Sequence, residues 1–173
     1  NAAARADPVL ISRIADTYGS QAVMVSIDVK ASLFGRLGVF DHVRRRGTGD
    51  DPVAWAREAE SRGAGEILLT SVDREGTWAG FDLELVRAVS DAVSIPVIAH
   101  GGAASTSDIG AAIRQGGASA VAVGSMVVFQ KKDMGVLVNF PVAAELRESL
   151  GHQQGPTSTP LRADVLDRLT PRS

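Results

Sequence analysis

Cysteine is absent from the 173 residues, which excludes a disulfide framework and any thiolate metal site. That composition fits a reducing cytoplasm. Charge of one sign is not in excess either: 18 Lys and Arg stand against 20 Asp and Glu. A net charge of −2 gives no reason to expect nucleic acid or an anionic membrane as partner. No apolar run is long enough to span a bilayer, and no cleavable signal is visible. An initiating methionine is missing as well, and a chain starting at Asn1 is expected to be a fragment. What remains, 45% hydrophobic and 22% charged residues, is the composition of one globular domain.

From Asp7 to Gly124 strand and helix patterns alternate. Asp7-Pro8 reads as a helix start, with a capping carboxylate and proline at the first helical position, followed by Leu10, Ile11 and Ile14 at helical spacing. Ala22 to Val29 reads as a buried strand ending in Asp28. Asp51-Pro52 opens a helix that closes at Gly63, and Glu66 to Ser71 is the next strand. Asp82 begins a helix, Pro96 to Ala99 is a strand, Ser105 or Ser107 caps a further helix, and Ser119 to Val123 is the last strand. The sequence Gly63-Ala64-Gly65-Glu66-Ile67-Leu68-Leu69 is echoed by Gly117-Ala118-Ser119-Ala120-Val121-Ala122-Val123, as a repeated strand–helix unit would be. Phe34 to Val43 interrupts the rhythm and can form a hairpin. The tail, residues 151–173, is polar and proline-bearing, with a short helix expected around Ala163 to Leu169.

Alternation of this kind predicts parallel β-structure with crossover helices. Four such strands are half of the eight that close a (β/α)8 TIM barrel, and residues 1–150 are read as the C-terminal half of one, four parallel βα units. A complete small flavodoxin-like sheet is the alternative. Four open strands leave two unpaired edges and one uncovered face. Val23, Val25, Ile27, Ile67, Leu69, Val97, Ala99, Val121 and Val123 are expected to line that concave face. Self-association, or a missing N-terminal half-barrel, would cover it.

In barrels of this type the reactive groups stand at the C-terminal strand ends. Those positions hold Asp28, then Thr70 to Thr77, then His100-Gly101-Gly102-Ala103, then Gly124-Ser125. A carboxylate finishing a buried strand is costly to ionise alone, so Asp28 either does chemistry or pairs with Lys30 or a loop amide. Glycines let a backbone approach an anion, and the two pairs before helix starts, Gly101-Gly102 and Gly124-Ser125, are read as a phosphate cradle.

The run from Gly63 to Thr77, GAGEILLTSVDREGT, resembles the central signature of the cyclase subunit of imidazole glycerol phosphate synthase. So do Gly19-Ser20-Gln21-Ala22 leading into Ser26-Ile27-Asp28, and Ser94-Ile95-Pro96-Val97-Ile98-Ala99 before the glycine pair. The resemblance covers Asn1 to about Phe129. It implies a lyase-type cyclase of histidine biosynthesis, which takes ammonia from a glutaminase partner onto a bis-phosphorylated ribulosyl substrate. No cofactor and no metal are implied. Asp28 would be one of two catalytic carboxylates, the other lying on a strand this chain lacks. Asn1, Gly101, Gly102, Gly124 and Ser125 would hold phosphate, and Thr70, Asp73 and Glu75 would line the mouth.

Departures from the pattern are visible. Ala2 stands where the family usually has a phosphate-binding threonine, His100 replaces a small hydroxyl residue, and Glu75 lengthens an aspartate. The segment from Phe129 to Pro141 is closer to paralogues that channel ammonia for sugar amidation in surface-glycan clusters. A non-catalytic half-barrel is the third possibility. His42 and His152 read as solvated loop residues, Arg44-Arg45-Arg46 as a solvated face, and Trp55 as a packing residue. His100 is placed to touch a ligand, and Trp78 to cover the mouth of the site.

Overall fold

A computed structural model describes residues 1–129 and 135–151. Two helices open the chain, α1 (Ala2–Ala6) and α2 (Val9–Tyr18). Strand β1 (Met24–Ala31) turns back into β2 (Leu37–Asp41), with β3 (Arg46–Gly47) beyond it. Helix and strand then alternate: α3 (Pro52–Ser61), β4 (Glu66–Ser71), α4 (Leu83–Ser90), β5 (Val97–His100), α5 (Thr106–Arg114) and β6 (Ala120–Ala122). A one-turn α6 (Ser125–Val128) and α7 (Ala143–Ser149), which packs on α5, complete the described part. The expected tail helix around Ala163 to Leu169 and His152 lie outside the described residues.

The sheet order is β3-β2-β1-β4-β5-β6, and β1, β4, β5 and β6 run parallel. This is a partial (β/α) barrel of four parallel units. The two further strands are the hairpin anticipated within 34–43, but the arms differ from expectation. The first arm is the end of β1 itself, because Val29, Lys30 and Ala31 pair with Val39, Gly38 and Leu37. β1 therefore does not end at Asp28. It continues to Ala31, and Asp28 sits inside the strand. The same pairing covers one of the two edges expected to be open, though only from Val29 upward.

Local chemistry explains the starts of α3, α4 and α5. The Asp51 carboxylate accepts the Ala54 N–H at 2.8 Å, and that of Asp82 accepts Leu85 N–H at 3.1 Å. Ser105 and Asp108 cap α5 reciprocally: Asp108 Oδ2 accepts Ser105 N–H at 2.9 Å while Ser105 Oγ accepts Asp108 N–H at 3.4 Å. Asp7 does not cap as expected. Its carboxylate is taken by the Arg13 guanidinium at 2.7 Å, and helix α2 starts one residue beyond proline.

The core lies between the sheet and the helices. Val25, Ile27 and Val29 of β1, Ile67 and Leu69 of β4, and Val97 and Ala99 of β5 are all buried. They share one cluster with Ala56 and Ala59 of α3, Leu85, Val86 and Val89 of α4, and Ala112 of α5. At roughly 1.5–3 kcal/mol for each large apolar side chain, this face holds the unit together. The expected assignment of these valines and isoleucines to the concave face is thus inverted. Successive side chains alternate across a strand, and the inner face carries the other parity: Met24, Ser26 and Asp28, Glu66, Leu68 and Thr70, Ile98 and His100, Ala120 and Ala122.

Candidate active site

Register sets the site. Asp28 lies opposite Thr70, Thr70 opposite His100, and His100 opposite Ala122, so three polar residues share one row near the C-terminal ends of the parallel strands. Around Asp28 the chain folds into a polar knot. Asn1 Nδ2 donates to Asp28 Oδ2 at 2.8 Å and to the Phe40 carbonyl at 2.9 Å, and Ser26 Oγ donates to Oδ1 at 3.3 Å. His42 Nε2 stands 3.8 Å from the same Oδ2, its ring edge-on to Phe40. Lys30 does not pair with Asp28, as the alternative reading would have it. Its ammonium lies over the Phe40 ring, 5.2 Å from the centroid. The Asp28 side chain keeps 15% of its exposure, enough to meet a ligand.

His42 is an exposed loop residue, as read from sequence, but the sequence does not show its approach to Asp28. The hairpin delivers it, and a one-letter pattern with two apolar residues between glycines and charges does not fix a hairpin register. Asp41 secures the turn: its Oδ1 accepts the N–H groups of Val43 at 2.9 Å and Arg44 at 3.0 Å. The Arg44 N–H chiefly holds this carboxyl below the ordinary aspartate range, against the opposing effect of burial.

A second cluster forms a small cleft between the ends of β5 and β6. Glu75, Gly76, Trp78, His100, Gly101, Gly102, Ala103, Ala122, Val123, Gly124 and Ser125 line it. The N–H groups of Gly101, Gly102, Gly124 and Ser125 donate to no protein acceptor among the described residues. The glycine pair has a packing reason of its own: both residues have positive φ, and a Cβ on Gly101 would stand 2.6 Å from the Ser71 carbonyl. Gly124 has no such reason, since nothing lies within 4 Å of where its Cβ would be. Part of the expected helix contribution is already engaged: Asp108 takes the Ala104 and Ser105 N–H groups just before α5, while those of Thr106 and Ser107 have no acceptor among the described residues.

The remaining candidates fall between or beside the clusters. Thr70 is buried, and its Oγ1 lies 3.2 Å from His100 Nδ1. Asp73 is exposed and accepts the Ala31 N–H at 2.7 Å, which ties the end of β1 to the β4–α4 loop. Glu75 is exposed on the cleft rim. Asn1 uses both Nδ2 protons on Asp28 and Phe40, which makes it the group that orients the carboxylate. Trp78 lines the cleft at a φ of 63°, unusual for a bulky residue.

A larger hollow, about 380 Å³, lies between α1 and α3 and is lined by Arg5, Asp50, Asp51, Ala54, Trp55 and Glu58. Size does not make it the site. Arg5 is committed to Asp50, to Thr48 at 3.0 Å and to the Trp55 face, while Asp51 caps α3. Among the described residues no helix is long and apolar enough to cross a membrane.

Family comparison agrees with the direction of these observations. Residues 1–133 match the family described as histidine biosynthesis protein, a span that includes every strand of the sheet and both clusters. A partial (β/α) barrel with its polar row and glycine-lined cleft at the strand C-terminal ends belongs to the histidine biosynthesis protein family, a family of TIM-barrel enzymes.

Proposed function

We propose that this chain is the C-terminal half of a cyclase subunit of the imidazole glycerol phosphate synthase type. In this reading a glutaminase partner supplies ammonia, and the acceptor is a phosphorylated ribulosyl compound. No cofactor is needed, and the reaction belongs in the cytoplasm. Ammonia adds to the ribulosyl carbonyl with loss of water, and ring closure then expels the aminoimidazole amine, so each stage asks for a proton to be taken from the attacking nitrogen and one to be given to the leaving group. Asp28 is suited to one of these transfers. Asn1 fixes Oδ2 from one side, Ser26 holds Oδ1, and the inner face leaves the carboxylate open to a ligand. The opposite carboxylate would come from the complementary half of the barrel, supplied by upstream sequence or by a second copy. That half would pair with the lower edge of β1 and the outer edge of β6, which have no strand partner among the described residues.

The cleft supports the substrate class. Free backbone N–H groups on two successive strand ends suit a phosphate, and bind it through groups no side-chain change removes. The observation that carries the reading is the position of Asp28 on the same row as the cleft residue His100. The test is turnover of the ribulosyl substrate by the chain joined to its complementary half, with ammonium salt in place of the glutaminase. Turnover that needs both ammonium and substrate is expected, and none under any ammonium concentration rejects the cyclase assignment.

A second reading rests on the segment after Ser125. Helix α6 lasts one turn, Val136 bridges Phe129 antiparallel, and Leu137 and Asn139 donate to the carbonyls of Val128 and Val127. That layout favours the ammonia-channelling paralogues of sugar amidation. In that case ammonia and the cleft are kept, and a sugar acceptor replaces the ribulosyl compound in the same assay. A non-catalytic half-barrel is left if neither acceptor reacts.

A further inference from the structure

The cleft that would hold phosphate has an unusual charge balance. Among the described residues its wall contains no lysine and no arginine, and the one carboxylate is Glu75. The nearest guanidinium on the same loop, Arg74, is turned onto the carbonyls of Ala79 at 3.1 Å and Gly80 at 3.4 Å. Backbone N–H groups alone would then have to hold a doubly charged oxyanion beside a carboxylate. Among the described residues His100 is the one basic side chain in the wall.

Its geometry is defined from behind. Thr70 is buried in the neighbouring strand, and its Oγ1 meets His100 Nδ1 at 3.2 Å. That contact engages one ring nitrogen and fixes the ring's rotation. The other nitrogen, Nε2, has no protein partner among the described residues. His100 lies between Thr70 on β4 and Ala122 on β6, and the ring forms part of the cleft wall together with the amides of Gly101, Gly102, Gly124 and Ser125. Open space at Gly124 stands on the far side, where no Cβ intrudes.

We infer that His100 is the specificity-determining ligand of this cleft, with Nε2–H donating to an oxygen of a phosphate group while Thr70 holds the ring in place. This rests on the reading of the cleft as a phosphate site and adds to it the one side chain that reads the anion. An imidazole reaches further from the strand than a serine or threonine hydroxyl would. The phosphate is therefore gripped further from the strand end, next to Gly124, and a ligand whose phosphate must seat deep against the Gly101-Gly102 turn is disfavoured.

Inorganic phosphate is the probe, titrated into the 173-residue chain while the amide resonances of Gly101, Gly102, Gly124 and Ser125 are followed. His100→Ser, which restores the small hydroxyl, should weaken phosphate by about tenfold or more, the usual cost of losing a hydrogen bond to a charged group. His100→Gln puts an amide donor at nearly the same reach and should recover most of that loss, which a purely structural role for the ring would not allow. Equal affinity in the wild type and His100→Ser overturns the inference and leaves the backbone cradle standing. Equal loss in the serine and glutamine variants also overturns it. If phosphate moves none of the four amides of the wild type, the cradle itself fails, and His100 with it.

Discussion

The two faces of the sheet are built by the same strands and do different work. Outward, Val25, Ile27, Val29, Ile67, Leu69, Val97 and Ala99 are sealed under α3, α4 and α5, and none of them keeps more than 3% of its exposure. Inward, the alternate residues include serine, aspartate, glutamate and histidine, half-buried or open, beside the buried Thr70, with Met24 51% exposed. Stability is concentrated on the first face and chemistry on the second. Because the period of a strand is two residues, one position of slippage would exchange them. A functional row can therefore be changed without touching the core, provided its residues keep their size.

The comparison can be broken most visibly through the inner face as a whole. It has no opposite wall, and the lower edge of β1 and the outer edge of β6 are open. The chain alone should therefore associate, either as a dimer that closes the barrel about a two-fold axis or as larger aggregates. Light scattering on fresh material checks this, and a monodisperse monomer with cooperative unfolding would contradict it. The outer face is tested next by Ile67→Ala. Ile67 is fully buried at the centre of the core, and the truncation should cost about 2–5 kcal/mol in denaturant unfolding. A loss below about 1 kcal/mol would mean that this face is not the main support.

Smaller effects sharpen the boundary between the faces. Ser105→Ala removes the acceptor for the Asp108 N–H at the start of α5 and should cost about 1 kcal/mol, read by the same unfolding titration. Phosphate binding should be nearly unchanged, since Ser105 is not among the described residues that line the cleft. The smallest effect is acid-dependent. Asp41 has its carboxyl held below the ordinary range in the folded chain, so the stability it lends the hairpin is present above the unfolded value. That contribution is lost as pH falls through the lowered folded value. Amide exchange at Val43 and Arg44 should quicken in that acid window while the β4 amides stay protected. Uniform acceleration across the sheet would assign the acid effect elsewhere.

Much of this was legible in one sequence, and the failures have local causes. Strand β4 spans Glu66 to Ser71 as expected, and Asp51, Asp82 and Ser105 cap as their side chains allow. In each case the signal and its partner lie within three residues of each other. Asp7 failed because its carboxylate turns to Arg13, six residues on, and not to a backbone amide. The end of β1 was misjudged because its last three residues depend on partners six to ten residues later. Face parity was inverted because a strand buried on both sides carries apolar residues at both parities, as Leu68 and Ile98 do here. Only the placement of the helices decides which set is core. The candidate site divided likewise: strand-end residues were found by position, whereas His42 reached Asp28 through a hairpin pairing that no spacing revealed.

The central claim is that Asp28 performs chemistry on a face that contributes little to the fold. Asp28→Asn, introduced into the chain joined to its complementary half, tests it most directly. The substitution keeps the size and the Asn1 contact region but removes the ionisable group. Ammonium-dependent turnover of the ribulosyl substrate should fall by at least ~100-fold, the usual contribution of a positioned acid or base, while the circular dichroism spectrum and unfolding midpoint stay close to wild type. A variant that keeps near wild-type turnover would make Asp28 structural and contradict the account.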